Sequence, residues 1–145
     1  MIEPDPILLE LGKKNFALNG MTGDFSNYFI GKESQTKKPV SITAIDDFVL
    51  SKSIDFVDIL HSDIQGFELE MLEGAKNLID SKKVGYFFIS THSGKLHNDC
   101  EQFLTQHGFE IIASADVAHS YSIDGILIAK ASYYPGIKPI TISQR

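Results

Sequence analysis

The chain has a single cysteine, Cys100, in 145 residues, so no internal disulfide framework can staple it and a reducing, cytoplasmic setting is the expectation. Its neighbours Asp99 and Glu101 disfavour a thiolate, so Cys100 reads as a buried apolar residue rather than a nucleophile. Positive charge is sparse as well. The 13 Lys and Arg stand against 19 Asp and Glu, for a formal charge of -6, and cations adjoin only at Lys13-Lys14, Lys37-Lys38 and Lys82-Lys83. No basic stripe tracks a phosphate backbone, which argues against a nucleic-acid partner. No apolar run approaches the length of a membrane span, and Met1 leads into acidic residues rather than a basic signal segment. Repeats and low-complexity segments are also lacking.

What is present is the composition of an ordinary globular domain, 43% apolar and 22% charged. A chain of this length buries roughly 70% of its unfolded surface, enough for one domain without staples. One domain over residues 1–131, followed by a tail over 132–145, is the organisation expected. Its organising stretch is Val57 to Gly74, VDILHSDIQGFELEMLEG. Val57, Ile59 and Leu60 form a strand-like apolar run, and from Phe67 the apolar positions take helical spacing at Leu69, Leu72, Ala75 and Ile79. His61, Asp63 and Gln65 lie at the junction. In an open α/β sheet, ligands bind outside the carboxyl ends of strands, which makes this turn a site candidate. Gly66 suits a tight turn, and Glu68 and Glu70 suit the positive end of the helix that follows.

Upstream, Asp5 and Pro6 mark a helix start, and the helix runs to about Asn19 with Gly20 as its terminator. Asp24 to Lys32 and Val40 to Ile45 read as strands, with a short helix near Ala44 to Leu50. Downstream, Val84 to Ser90 is a continuous apolar run, as in a strand covered on both faces, and Leu96, Cys100, Phe103 and Leu104 mark a helix closed by Gly108. Phe109 to Ala113 is a strand. The link to the last strand, within Tyr121 to Lys130, is too short for a crossover helix, so that strand should run antiparallel. The predicted fold is therefore a mixed α/β sheet with helices on both faces, and a tail that covers an edge or stays loose.

Several segments together resemble the FkbM-type methyltransferases: IEPDP and the helix ending NFALNG, VSITAIDDF, VDILHSDIQGFELEMLEGAKNLI, FFISTHS and DGILIAK. The most specific part is the aspartate-X-glutamine-glycine-X-glutamate core, Asp63 to Glu68. The resemblance implies a Rossmann-like fold and S-adenosylmethionine as cofactor, with a small-molecule methyl acceptor, by family analogy a sugar or polyketide hydroxyl. It places Glu3 on the cofactor ribose, a task that suits the two acceptor oxygens of a carboxylate. Asp63, with Gln65 beside it, falls where such enzymes face the methyl donor and acceptor. The family's glycine-rich loop would precede Glu3 and is absent, so the resemblance also implies an N-terminally truncated domain that binds its cofactor weakly and is either inactive or completed by a rearranged sheet or a homo-oligomer.

Each of these residues has a plainer alternative. Glu3 could serve a helix dipole and Asp63 could cap the helix after Gln65, while His61, where many relatives carry lysine, could be packing or a base near neutral pH. His92 ends the strand beside Asp63, so the pair is the preferred candidate for deprotonating an alcohol. Asp124 reads as a turn residue, and His97, His107 and His119 have no motif. A non-haem iron site built from His61, Asp63 and a later histidine such as His119 is opposed by the strand–helix alternation, and no metal is expected. A non-catalytic Rossmann-like domain that binds a partner at a sheet edge is the other alternative.

Overall fold

A computed structural model describes all 145 residues. Helix α1 (Pro6–Leu18) starts as predicted: Asp5 Oδ1 accepts from the Ile7 and Leu8 amides at 2.7 and 3.4 Å, and Pro6 occupies the first turn. It ends before Gly20, whose φ of 65° is left-handed. The strand expected over Asp24 to Lys32 shrinks to β1 (Phe29–Ile30), paired in parallel with β2 (Ile42–Thr43). The cause lies in its partners. Ser26 bonds to Met1 and Glu3, whereas Phe29 and Gly31 bond to Ser41 and Thr43, so the segment changes neighbours instead of forming one long ladder.

After α2 (Ile45–Ser51) come β3 (Val57–Ser62), α3 (Glu68–Glu73), α4 (Lys76–Asp80), β4 (Val84–Thr91), α5 (Gly94–Gln106), β5 (Phe109–Ala115) and β6 (Gly125–Ala131). The main sheet has the order β3-β4-β6-β5. β3 and β4 are parallel neighbours, and β6 lies antiparallel between β4 and β5, which gives the expected mixed sheet. β3 has one partner and leaves its other edge free.

The single helix expected from Glu68 to Ile79 is instead two, broken at Gly74. A Cβ there would stand 2.5 Å from the Gly31 carbonyl oxygen, so only glycine lets this end of α3 press against the β1 segment. The second helix is capped from elsewhere in the chain: the Asp46 carboxylate accepts from the Asn77 and Leu78 amides, both at 2.8 Å. Apolar spacing continues across the break, which is why the sequence does not show it.

Helices α2 to α5 feed one core that includes Val49, Met71, Leu72, Phe87, Leu104 and Leu127. Cys100 belongs to it, and burial pushes its thiol up to about 12, in keeping with an inert side chain. The second helical layer expected over the other face is replaced by the tail. Tyr134 packs edge-on to Tyr86 at 5.7 Å, the Ile137 amide donates to the Tyr86 hydroxyl, and the Ile140 amide bonds to the Ile112 carbonyl. α1 adds no side chain to that core, and no helix of the chain is long and apolar enough to cross a membrane.

Candidate active site

Strand alternation decides which polar groups at the end of β3 face inward. Ser62 is buried and His61 is exposed, so the ring of His61 stands on the solvent side and makes no hydrogen bond or ion pair. Beyond Ser62 the chain reverses through two left-handed residues, Gln65 at φ 58° and Gly66 at φ 105°. A non-glycine residue in that region is held there by its surroundings. Here the holding group is Glu68, whose Oε1 accepts from the Ile64 amide at 3.1 Å and the Gly66 amide at 3.3 Å. Gln65 in turn donates from Nε2 to Asp63 Oδ1 at 3.1 Å. Asp63 bonds to no backbone amide, so the helix-capping alternative for it is not realised.

Parallel pairing carries β4 out beside this turn, with Ser62 opposite Ile89, and delivers His92 to it. His92 Nε2 lies 3.2 Å from Asp63 Oδ1 and 3.5 Å from Asp124 Oδ1, and Nδ1 lies 3.0 Å from Glu68 Oε1. These separations suit ion pairs but the atoms are out of line for hydrogen bonds, leaving both ring nitrogens, Glu68 Oε2 and Ser62 Oγ buried without a hydrogen-bond partner. Such groups cost free energy when unpaired, and active sites without substrate commonly show long, misaligned contacts of this kind. Exposure grades across the cluster, from 0% for the Glu68 side chain through 17% for His92 to 44% for Asp63.

Asp63 and Gln65 also line a cavity of about 450 Å³ that Glu3 lines with them. Apolar flanks come from Ile30, Ile64 and Phe67. Glu3 does not cap α1, since Asp5 does. Its Oε1 accepts from the Asp5 amide at 2.7 Å, which leaves Oε2 free.

Residues 12–111 match the family model for the methyltransferase FkbM domain. The chain belongs to this family. No curated protein matches it. The FkbM domain is similar in fold to methyltransferase FkbM from Methylobacillus flagellatus KT, with a TM-score of 0.63 and 22% identity over 89% of this chain and 35% of that one. It is also similar to a protein in the NADB-Rossmann superfamily from Streptococcus agalactiae, with a TM-score of 0.52 and 16% identity over 96% of this chain and 53% of that one. The chain thus spans about a third of the first protein and about half of the second. The fold is Rossmann-like.

The family implies S-adenosylmethionine, and the cavity of the FkbM domain fits the nucleoside half of that cofactor: apolar walls for a base and a free carboxylate oxygen on Glu3 for a ribose hydroxyl. No Lys, Arg or His lines it. Elsewhere, His97 is buried between Thr91 Oγ1 at 2.9 Å and Ser114 Oγ at 2.8 Å. Burial holds its pKa below the usual value, although Glu101 and Asp116 pull the other way. His107 stacks on Phe103, and His119 bonds to Asp116 Oδ1 at 2.6 Å. His119 therefore lies outside the Asp63 cavity, and no set of three His, Cys, Asp or Glu is arranged to hold a metal ion.

Glu68 and Asp124 are the site groups that sequence reasoning missed. The spacing of Asp63, Gln65 and Glu68 does signal a carboxylate folded back over its own turn. Nothing local shows that a ring from the next strand sits on it, or that the Asp124 turn closes on the same ring.

Proposed function

We propose that the FkbM domain catalyses methyl transfer from S-adenosylmethionine to a hydroxyl of a small molecule or sugar, with His92 Nε2 as general base. The observation that carries this reading is the placement of Nε2 3.2 Å from Asp63 Oδ1, beside a cavity lined by Asp63, Gln65 and Glu3. When bound, S-adenosylmethionine supplies an electrophilic methyl on a positively charged sulfur. Glu3 accepts hydrogen bonds from the ribose hydroxyls through its free oxygen, and Ile30, Ile64 and Phe67 flank the adenine. Asp63, pinned by Gln65, adds negative charge at the cavity wall where it favours a sulfonium. His92 removes the hydroxyl proton of the acceptor at Nε2, and the neighbouring carboxylates stabilise the imidazolium that results. His61 has no part in this scheme, because alternation along β3 turns it away from the cavity.

The test is transfer of labelled methyl groups from S-adenosylmethionine to a panel of hydroxylated acceptors by the wild type and His92→Gln. A positioned general base contributes roughly 10²- to 10⁴-fold, so a loss of about that size is expected with cofactor affinity retained. Undiminished transfer by His92→Gln would overturn the assignment.

A further inference from the structure

Glu68 is a fully buried carboxylate with no Lys or Arg beside it, an arrangement that costs free energy unless the group is paired. Three nitrogens converge on its Oε1: the Ile64 amide, the Gly66 amide and His92 Nδ1, at 3.1, 3.3 and 3.0 Å. Two of them fix the turn that presents Asp63 and Gln65, and the third belongs to the ring that meets Asp63. One oxygen atom therefore ties both halves of the site together. Its companion Oε2 is buried and unpartnered, so the carboxylate is not there simply to satisfy local backbone donors.

We infer that Glu68 is the positioning residue of the site: it sets His92 in the tautomer with hydrogen on Nδ1, leaving Nε2 bare on the side of Asp63, the carboxylate that lines the cavity, as a proton acceptor. The inference rests on the reading of His92 as the base. Its physical reason is the difference between the two ends of the ring. Nδ1 faces a completely buried acceptor at 3.0 Å, whereas Nε2 faces Asp63 at 3.2 Å and Asp124 at 3.5 Å, whose side chains are 44% and 25% exposed, and the first shares its Oδ1 with Gln65. A carboxylate removed from water attracts the N–H that faces it more strongly than one screened by solvent, an electrostatic preference that holds at 3.0 Å even though the atoms are out of line for a full hydrogen bond. A base whose far nitrogen is held by an acceptor delivers its near nitrogen in one orientation, which is the general logic of a base steadied by a third group.

The tautomer can be read directly, without any methyl transfer. Nitrogen-15 spectra of the intact chain, recorded where the imidazole is neutral, give the protonation of each ring nitrogen of His92, assigned by comparison with His92→Gln. The expected result for the wild type is a predominant Nδ1–H form, the reverse of a histidine free in water. Glu68→Gln retains an oxygen for the two amides while removing the charge opposite Nδ1. It should keep the fold and lower the ratio of Nδ1–H to Nε2–H at least tenfold, with a fall in kcat and little change in the KM for the cofactor. Glu68→Asp, which restores the charge on a shorter arm, should recover part of the ratio. A predominant Nε2–H form in the wild type, or a ratio unchanged in Glu68→Gln, overturns the inference. If the ratio behaves as expected while no acceptor is methylated, the positioning role stands and the catalytic reading of His92 is the part that fails.

Discussion

Asp63 and His92 sit on different strands, yet Oδ1 of the first lies 3.2 Å from Nε2 of the second because β3 and β4 run parallel and end at the same edge. That edge is where open α/β sheets hold their ligands, so the contact falls where chemistry is possible rather than in the core.

Asp63→Asn tests what the contact is for. Because Asp63 accepts a hydrogen bond only from the Gln65 side chain, meets His92 from a half-exposed position and caps no helix, the change should alter stability by no more than about 1 kcal/mol, the usual scale of a single cap or exposed ion pair. Methyl transfer should fall at least tenfold. Thermal melts together with transfer rates check both parts. A large loss of stability with full activity in the folded fraction would show a structural role instead.

Much of this architecture is legible in the sequence. Val84 to Ser90 reads as a central strand because it is apolar on both faces, and β6 reads as antiparallel because its loop from β5 is too short for a crossover. Asp5, Pro6 and Gly20 mark the limits of α1 through local chemistry. The rest depends on distant partners. The need for glycine at position 74 is set by the carbonyl of Gly31, and the cap on α4 comes from α2. Helix-start position does not separate Glu68 from Glu70; the motif spacing marks Glu68 for its own turn, but only the arrival of β4 puts a ring against it.

The cap on α4 makes a second prediction. Asp46 accepts from two amides of another helix, and no side chain of α4's own N-terminus replaces it. Asp46→Ala should therefore destabilise the fold by about 0.5 to 2 kcal/mol, measured by urea denaturation. An equal effect from Asp47→Ala, whose carboxylate meets Ser34 rather than α4, would show that general acidity of α2 matters and not the cap.

His97 gives the chain an acid sensitivity whose sign is fixed by burial. Its folded pKa lies below the ordinary 6.5, chiefly through loss of solvation, so the unfolded chain binds the extra proton first. This contribution to stability is complete above about pH 6.5 and is lost as the pH falls below it towards the folded value. Denaturation at pH 7 and pH 5 should show the decline, and His97→Gln should flatten it. A slope that persists unchanged in the variant would assign the sensitivity to other groups.

The last prediction concerns which part of the cofactor this chain can hold. The cavity offers apolar walls and the free oxygen of Glu3 to a nucleoside, but no Lys, Arg or His lines it to meet a free carboxylate. A hydrogen bond to a charged group is worth about 1.5 to 3 kcal/mol, so a site that recognised the methionine half through two of them would prefer S-adenosylmethionine over 5′-methylthioadenosine by a hundredfold or more. This chain should show a preference of less than about tenfold, since beyond the adenosine that both ligands share its residues offer the sulfonium only the solvent-screened charge of Asp63, whose side chain is 44% exposed. Calorimetric titration of the same protein with each ligand measures the ratio, and Glu3→Gln should weaken both ligands alike because it acts on the shared ribose. A preference of a hundredfold or more would mean that donors outside this cavity grip the amino-acid end, and the assignment of binding to Glu3 and its apolar neighbours alone would have to be given up.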